Sequence, residues 1–319
     1  FRLLHASRFQ AKGDEPCVME RWFNMSIESG NRIRNGLSLA VQKTMETIGN
    51  AVLTSEGKGN EALRNAFTEG TMDADKLNKE LIHFIYRLLF LFIIEERGLV
   101  YQIPDSPDAP DYKQLCEWQD IYKKFYAASR LRHLSELAYL KQRQYFDLWQ
   151  GLMDTFHLFE PDTFGERLGI NPLGGVLFGR ETLHWLKQCQ VSNHDVLTAF
   201  SALNEFTDER QQRVKINYSS LDVEEFGSVY EGILEMRPFV QPGVSAADWQ
   251  FGFVGGLDRQ STSSYYTRPD LVQNLIQTTL EPVIKEKISH LSSTEEKVKA
   301  LLNMKVCDAA SGSGHIVLA

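Results

Sequence analysis

Apolar residues recur at helical spacing through much of the chain. Between Trp22 and Leu53, Ile27, Ile33, Leu37, Leu39, Val41, Met45 and Ile48 keep mixed helical intervals, which predicts one or two amphipathic helices. Asn60–Phe67 continues the pattern. Asp73–Arg97 is apolar almost all round and predicts a buried central helix. Its polar members Glu80, His83 and Arg87 fall on one stripe. Buried charges need partners, so this stripe is expected to join helices internally rather than do chemistry. Pro104–Pro110 is a loop by composition. Helical patterns resume over Ile121–Leu140, Tyr145–Phe159, Glu181–Cys189 and His194–Phe206, with a turn at Asn171-Pro172-Leu173-Gly174-Gly175.

Asp222–Glu235 also predicts a helix, opened by Asp222 and Glu225. Gly227 and Gly232 inside it imply close packing against another element. Most Gly and Pro of this region lie in Pro238–Gln260, where a domain boundary near residue 245 is expected. Beyond it, Thr267 is an N-cap candidate, Pro269 suits a first helical turn, and Leu271, Val272, Leu275 and Ile276 share a face. Glu281-Pro282 is expected to kink or end that helix. Ser293 and Glu296 open another helix, which runs into a predicted strand at Val306-Cys307. Asp308 follows, then the small-residue loop Ala309-Ala310-Ser311-Gly312-Ser313-Gly314 and the apolar run Ile316-Val317-Leu318. Strand, small-residue loop and helix start together bring a helix N-terminus close to a ligand.

Composition adds limits. The 319 residues are 43% hydrophobic and 24% charged, as in an ordinary soluble globular protein. A net charge of -8 gives no global electrostatic case for nucleic-acid binding, so a DNA surface has to be local. The best local candidate is Arg130, Arg132, His133, Lys141 and Arg143, interleaved with Tyr126, Tyr139 and Tyr145; a solvated helix face is the plain alternative. The four cysteines are scattered, which fits a reducing, cytoplasmic compartment. No signal peptide is seen, and the longest apolar run, Leu81–Ile94, is shorter than the roughly 18–20 residues of a membrane span. The chain is expected to be part of a longer protein, since it lacks an initiator Met and stops within a motif.

A glycine loop alone is weak. Gly312-x-Gly314 lacks a third Gly two residues on, as a nicotinamide site would have, and no Gly-Lys-Ser/Thr follows. However, Asp308–Val317 resembles the first motif of adenine-specific DNA methyltransferases, D-P-A-C-G-S-G-x-F-L. Tyr265–Val272 resembles the Tyr-Tyr-Thr-Pro segment that precedes it in the gamma class. The helical region is similar to the part preceding the methylase in type IIG restriction-modification enzymes and in the methylases of BREX and DISARM phage defence. The pieces that carry this are Tyr86–Leu91 with Glu95-Glu96-Arg97, Gly174–Phe178 and Gly227–Glu231. Departures are Ala309 for Pro, Ser311 for Cys and Arg268 after the Thr.

The resemblance implies a mainly α-helical region, 1–245, that positions DNA or partners. After it, 246–319 begins an α/β Rossmann-like methyltransferase domain. It implies S-adenosylmethionine as cofactor, held by Asp308 and the backbone of Ala310, Gly312 and Gly314, with Tyr266 and Thr267 closing over it. It further implies double-stranded DNA as substrate and other subunits of a phage-defence complex as partners, with no membrane. The family's Asn/Asp-Pro-Pro-Tyr/Phe motif, which receives the flipped adenine, follows the first motif and is not among these residues. Asn171-Pro172 is no match, so no catalytic residue is assigned and the segment alone is expected to be inactive. The alternatives are a non-catalytic scaffold with a degenerate methylase fold and a nicotinamide-dependent oxidoreductase.

Overall fold

In a computed structural model, residues 17–207, 212–221, 227, 229, 232–234, 236–254 and 269–307 are described. The chain divides into two units. The first comprises Phe1–Leu221 with Met236–Gly255, and the second Asp222–Glu235 with Gly256–Ala319. The expected boundary near residue 245 falls inside the Met236–Gly255 segment of the first unit, and Asp222–Glu235 groups with the second. The predicted helix Asp222–Glu235 lies mostly outside the described residues; Gly227, Val229 and residues 232–234 are helical.

In the first unit, Trp22–Leu53 is part of one helix, α1 (Val18–Thr54), 37 residues long. Leu37, Val41, Met45, Ile48 and Val52 make its buried stripe, at three- and four-residue steps. Buried Thr44 returns its hydroxyl to Ala40 O at 2.7 Å, so the apolar stripe tolerates it. After α2 (Lys58–Thr68), α3 (Ala74–Glu96) forms the centre of the core. Asp73 caps α3, its carboxylate accepting from Lys76 N at 2.8 Å. Gly98 at φ 66 ends it, with Leu99 N bonded to Ile94 O and Gly98 N to Glu95 O; a left-handed residue here favours glycine. Leu77, Leu81, Phe84, Ile85, Leu88, Leu89, Leu91 and Phe92 are all enclosed, as expected for a helix apolar almost all round.

Around α3 lie α4 (Tyr112–Ile121), α5 (Ala128–Ser135), α6 (Asp147–Leu158) and α7 (Asn193–Asn204). The helix expected over Ile121–Leu140 is broken. α4 continues into a π-helical turn, Tyr122–Tyr126, non-helical Ala127 separates that turn from α5, and only a short 3-10 turn, Ala138–Leu140, follows. Ala127, before α5, has no side-chain acceptor. The Glu95 carboxylate from α3 takes the Ala128 and Ser129 N–H groups at 2.9 and 2.7 Å instead. Similarly, Glu80 accepts from the N–H groups of Trp185 and Leu186. The Glu181–Cys189 pattern becomes a 3-10 turn, Arg180–Leu183, and further turns held by this carboxylate.

Two antiparallel hairpins were not expected: β1 (Glu205–Thr207) with β2 (Arg213–Lys215), and β3 (Arg237–Gln241) with β4 (Gln250–Val254). The second occupies the stretch read as a boundary. It docks on α1 through Asn50, whose side chain both donates to Phe251 O and accepts from Phe251 N, each at 2.9 Å. Gly49 leaves room for the Phe251 ring, since a Cβ there would lie 2.4 Å from it.

In the second unit, α8 (Pro269–Leu275) passes through a π-helical turn, Ile276–Leu280, into α9 (Glu281–Ser289), and α10 (Thr294–Leu302) follows. The chain stays helical through Pro282. Glu281 N bonds back five residues to Ile276 O, and the widened turn absorbs the missing N–H of Pro282. Ser293 caps α10 as expected, accepting from Glu295 N. The strand expected at Val306 is not formed: residues 304–307 have no regular structure, and Val306 and Cys307 are exposed. A strand needs a neighbour for its backbone groups, and none pairs with it among the described residues. All strands there are antiparallel and belong to the first unit, so no parallel Rossmann-like sheet is present among them. No described helix is long and apolar enough to cross a membrane.

Candidate functional sites

The cofactor residues expected from sequence, Tyr266, Thr267, Asp308, Ala310, Gly312 and Gly314, lie outside the described residues. Their flanks are described: α8 begins at Pro269, directly after the Tyr265–Arg268 segment, and α10 ends shortly before Asp308.

The basic and aromatic cluster is only partly a surface. Arg132 belongs to the interior. Its guanidinium pairs with Glu96, donates to Ile216 O at 2.7 Å and Asn204 Oδ1 at 3.2 Å, and lies over the Tyr218 ring. A buried cation satisfied in this way is unavailable to a phosphate. Arg130 Nε is enclosed without a hydrogen-bond partner, and burial lowers the guanidinium pKa. Lys141 donates to Ser201 Oγ at 2.9 Å, and Arg143 lies 3.8 Å from Asp195. Tyr139 and Tyr145 are exposed. The 139–145 segment is tied to the first turn of α7, where Asn193 N and His194 N donate to Tyr145 O and Gln142 O. Of the cations on this face, Arg143 has Asp195 beside it, whereas the nearby Glu136 is bonded to Lys215.

The stripe on α3 turns inward as expected. Arg87 is wholly enclosed and donates to Glu160 at 2.7 Å, Leu177 O, Gly179 O and Thr182 Oγ1. Burial pulls its pKa down, and Glu160 opposes that. His83 is also pushed down by burial, and its Nδ1 has no partner.

A cleft of about 510 Å³ opens beside this network, lined by Gln150, Met153, Asp154, His157, Glu160, Asp162, Arg180 and Lys187. The sequence reading did not find it, because its residues come from α6, the turn after it and the 180–187 turns. Lys187 Nζ donates to the buried Glu160 carboxylate at 2.5 Å. His157 Nε2 meets Asp162 Oδ2 at 2.6 Å, and its ring stacks on Phe164 at 4.3 Å. Asp162 also accepts from Phe164 N at 2.8 Å and from Arg180 at 3.1 Å. The Phe164 N–H, then His157 and Arg180, hold the Asp162 carboxyl below its usual range. The only sequence signal was the local grouping of His157, Glu160 and Asp162; Arg180 and Lys187 arrive through the fold. Among the described residues, no three His, Cys, Asp or Glu side chains gather to hold a metal ion. Comparison of the chain with protein-family models, with curated proteins and with solved structures finds no match.

Proposed function

We propose that this chain is part of an adenine-specific DNA methyltransferase of a restriction or phage-defence system. The observation that carries the reading is the pairing of Tyr265–Pro269 with Asp308–Gly314, in the family's order and at a family-like separation. A helix beginning at Pro269 is in keeping with it, because the Tyr-Tyr-Thr segment then leads straight into a first helical turn. The donor set suits the methionine end of S-adenosylmethionine. Asp308 would meet its amino group, and the N–H groups of Ala310, Gly312 and Gly314 its carboxylate, with Tyr266 and Thr267 alongside. The bound cofactor supplies the methyl group; these residues bind and orient it. The helical region would position duplex DNA or partner subunits.

The test uses the full-length protein. Calorimetry should show binding of S-adenosylmethionine and not NAD. Incubation with unmodified DNA followed by single-molecule sequencing should show methylated adenine. Replacing Asp308 by Ala should weaken cofactor binding by about tenfold or more, one charge-assisted contact being lost. Absence of cofactor binding by the intact protein overturns the reading. Ala309 and Ser311 favour a second reading, a non-catalytic scaffold with a degenerate methylase fold. Under it the full-length protein binds DNA or partner proteins but neither cofactor nor methyl group is taken up.

A further inference from the structure

We infer that a second cavity, beside α4, is a binding site for a neutral aromatic molecule that carries an amide-like edge. The cavity holds about 420 Å³, within the roughly 300–1,000 Å³ of small-molecule sites. It is bounded by α3, the 99–102 segment, α4 and the 169–173 segment. Three of its lining rings, Phe90, Phe159 and Tyr101, are held by their neighbours. Phe178 lies 5.8 Å from both Phe90 and Phe159, and Tyr122 lies 6.1 Å from both Phe159 and Tyr101. This chain of ring contacts keeps aromatic faces in place for a flat ligand, whose ring can pair with them offset or edge-on.

The polar groups of the cavity narrow the ligand class. No lining residue carries a charge. A charged ligand would lose water there without gaining a counter-charge, which is costly. The Tyr101 hydroxyl already donates to Leu168 O at 2.8 Å. Gln102 and Asn171 remain, and neither carboxamide has a hydrogen-bond partner among the described residues. Each offers a donor pair beside an acceptor, which matches the edge of an amide or lactam. α4 supplies Leu115 to the wall yet encloses no residue of its own. Its Trp118 ring rests on Gly169, where a Cβ would come within 2.3 Å of it. A helix with so few enclosed contacts can shift to admit a ligand without opening the core. The inference stands whether or not the chain belongs to a methyltransferase.

The experiment titrates benzamide, toluene and benzoate into the full-length protein, following Leu and Ile methyl NMR shifts. Benzamide supplies ring and edge, toluene the ring alone, and benzoate the same shape with a charge. Benzamide should bind saturably and shift the Leu115 and Ile170 methyls, and benzoate should bind more weakly by about tenfold or more. Gln102→Leu and Asn171→Leu should each weaken benzamide by about fivefold, the loss of one neutral hydrogen bond, and leave toluene unweakened. Both residues are exposed, so neither change reaches the core, and thermal melting checks that each variant is folded. Leu99→Trp, at a lining position 58% exposed, should fill the cavity and abolish binding of benzamide and toluene alike. Benzoate binding as tightly as benzamide overturns the inference. So does benzamide binding that Leu99→Trp leaves intact, that neither carboxamide variant weakens, or that is absent altogether.

Discussion

Arg87 sits in the middle of an apolar helix, yet its guanidinium makes four hydrogen bonds, to one carboxylate, two carbonyls and a hydroxyl. Replacing one partner of a buried pair is costly because the other charge stays behind. Arg87→Leu should therefore lower stability by about 3 kcal/mol or more in urea unfolding. A loss under about 1 kcal/mol would show that Lys187 alone satisfies Glu160. Asp162 makes a different prediction, about pH. Its folded pKa is depressed, so its stabilising contribution is complete above the ordinary carboxyl value of 3.8 and is lost as pH falls through the lower folded value. The melting temperature should fall as pH drops below about 4, and Asp162→Asn should flatten part of that fall. An unchanged slope in the variant would remove Asp162 from the account. The stripe containing Arg87 was legible in the sequence, since a charge at core spacing must find a partner. Its partners were not, as Glu160, Leu177, Gly179 and Thr182 lie far along the chain.

Elements were legible in proportion to their periodicity. α1, α2, α3, α6 and α7 follow repeated apolar spacings, and each falls where the pattern places it. α5 did not, because its start is fixed by Glu95 from another helix rather than by a cap of its own. The hairpin β3–β4 was hidden by Pro238 and Gly243, which read as a linker; pairing across a turn is invisible to local pattern. Its anchor is Asn50, whose amide completes the hydrogen bonding of Phe251. Asn50→Ala should leave α1 intact but raise hydrogen exchange at Phe251 and shift Trp249 fluorescence, with a stability loss of about 1–3 kcal/mol. Unaltered exchange at Phe251 would show that packing of its ring against Gly49 suffices.

Among the described residues, the second unit encloses Val229, Ile233 and Val272 but leaves its last helices open. The first has a dense core around α3. In the second, α9 and α10 have no fully buried residue, and Leu271, Val283, Val298 and Leu302 are exposed. Apolar residues at helical spacing left in water bind apolar probes. Combined Val298→Ser and Leu302→Gln substitutions should reduce binding of the dye ANS without lowering the melting temperature of the first unit. Unchanged ANS binding would show that these side chains are not the exposed apolar surface.

The sequence by itself determined the helical character of the first region, the buried helix Asp73–Arg97 and the helix start at Pro269. Each is set by short-range spacing, capping and proline chemistry, which act within a few residues. The resemblance to a methyltransferase also rests on sequence, in segments 265–272 and 308–317. Only the tertiary structure decided that Arg132 is internal, that residues 236–255 join the first unit, and that His157, Asp162, Arg180, Glu160 and Lys187 share a cleft. Those outcomes depend on which distant backbone groups and charges meet, and desolvation makes the meeting obligatory for enclosed charges such as Arg132 and Glu160.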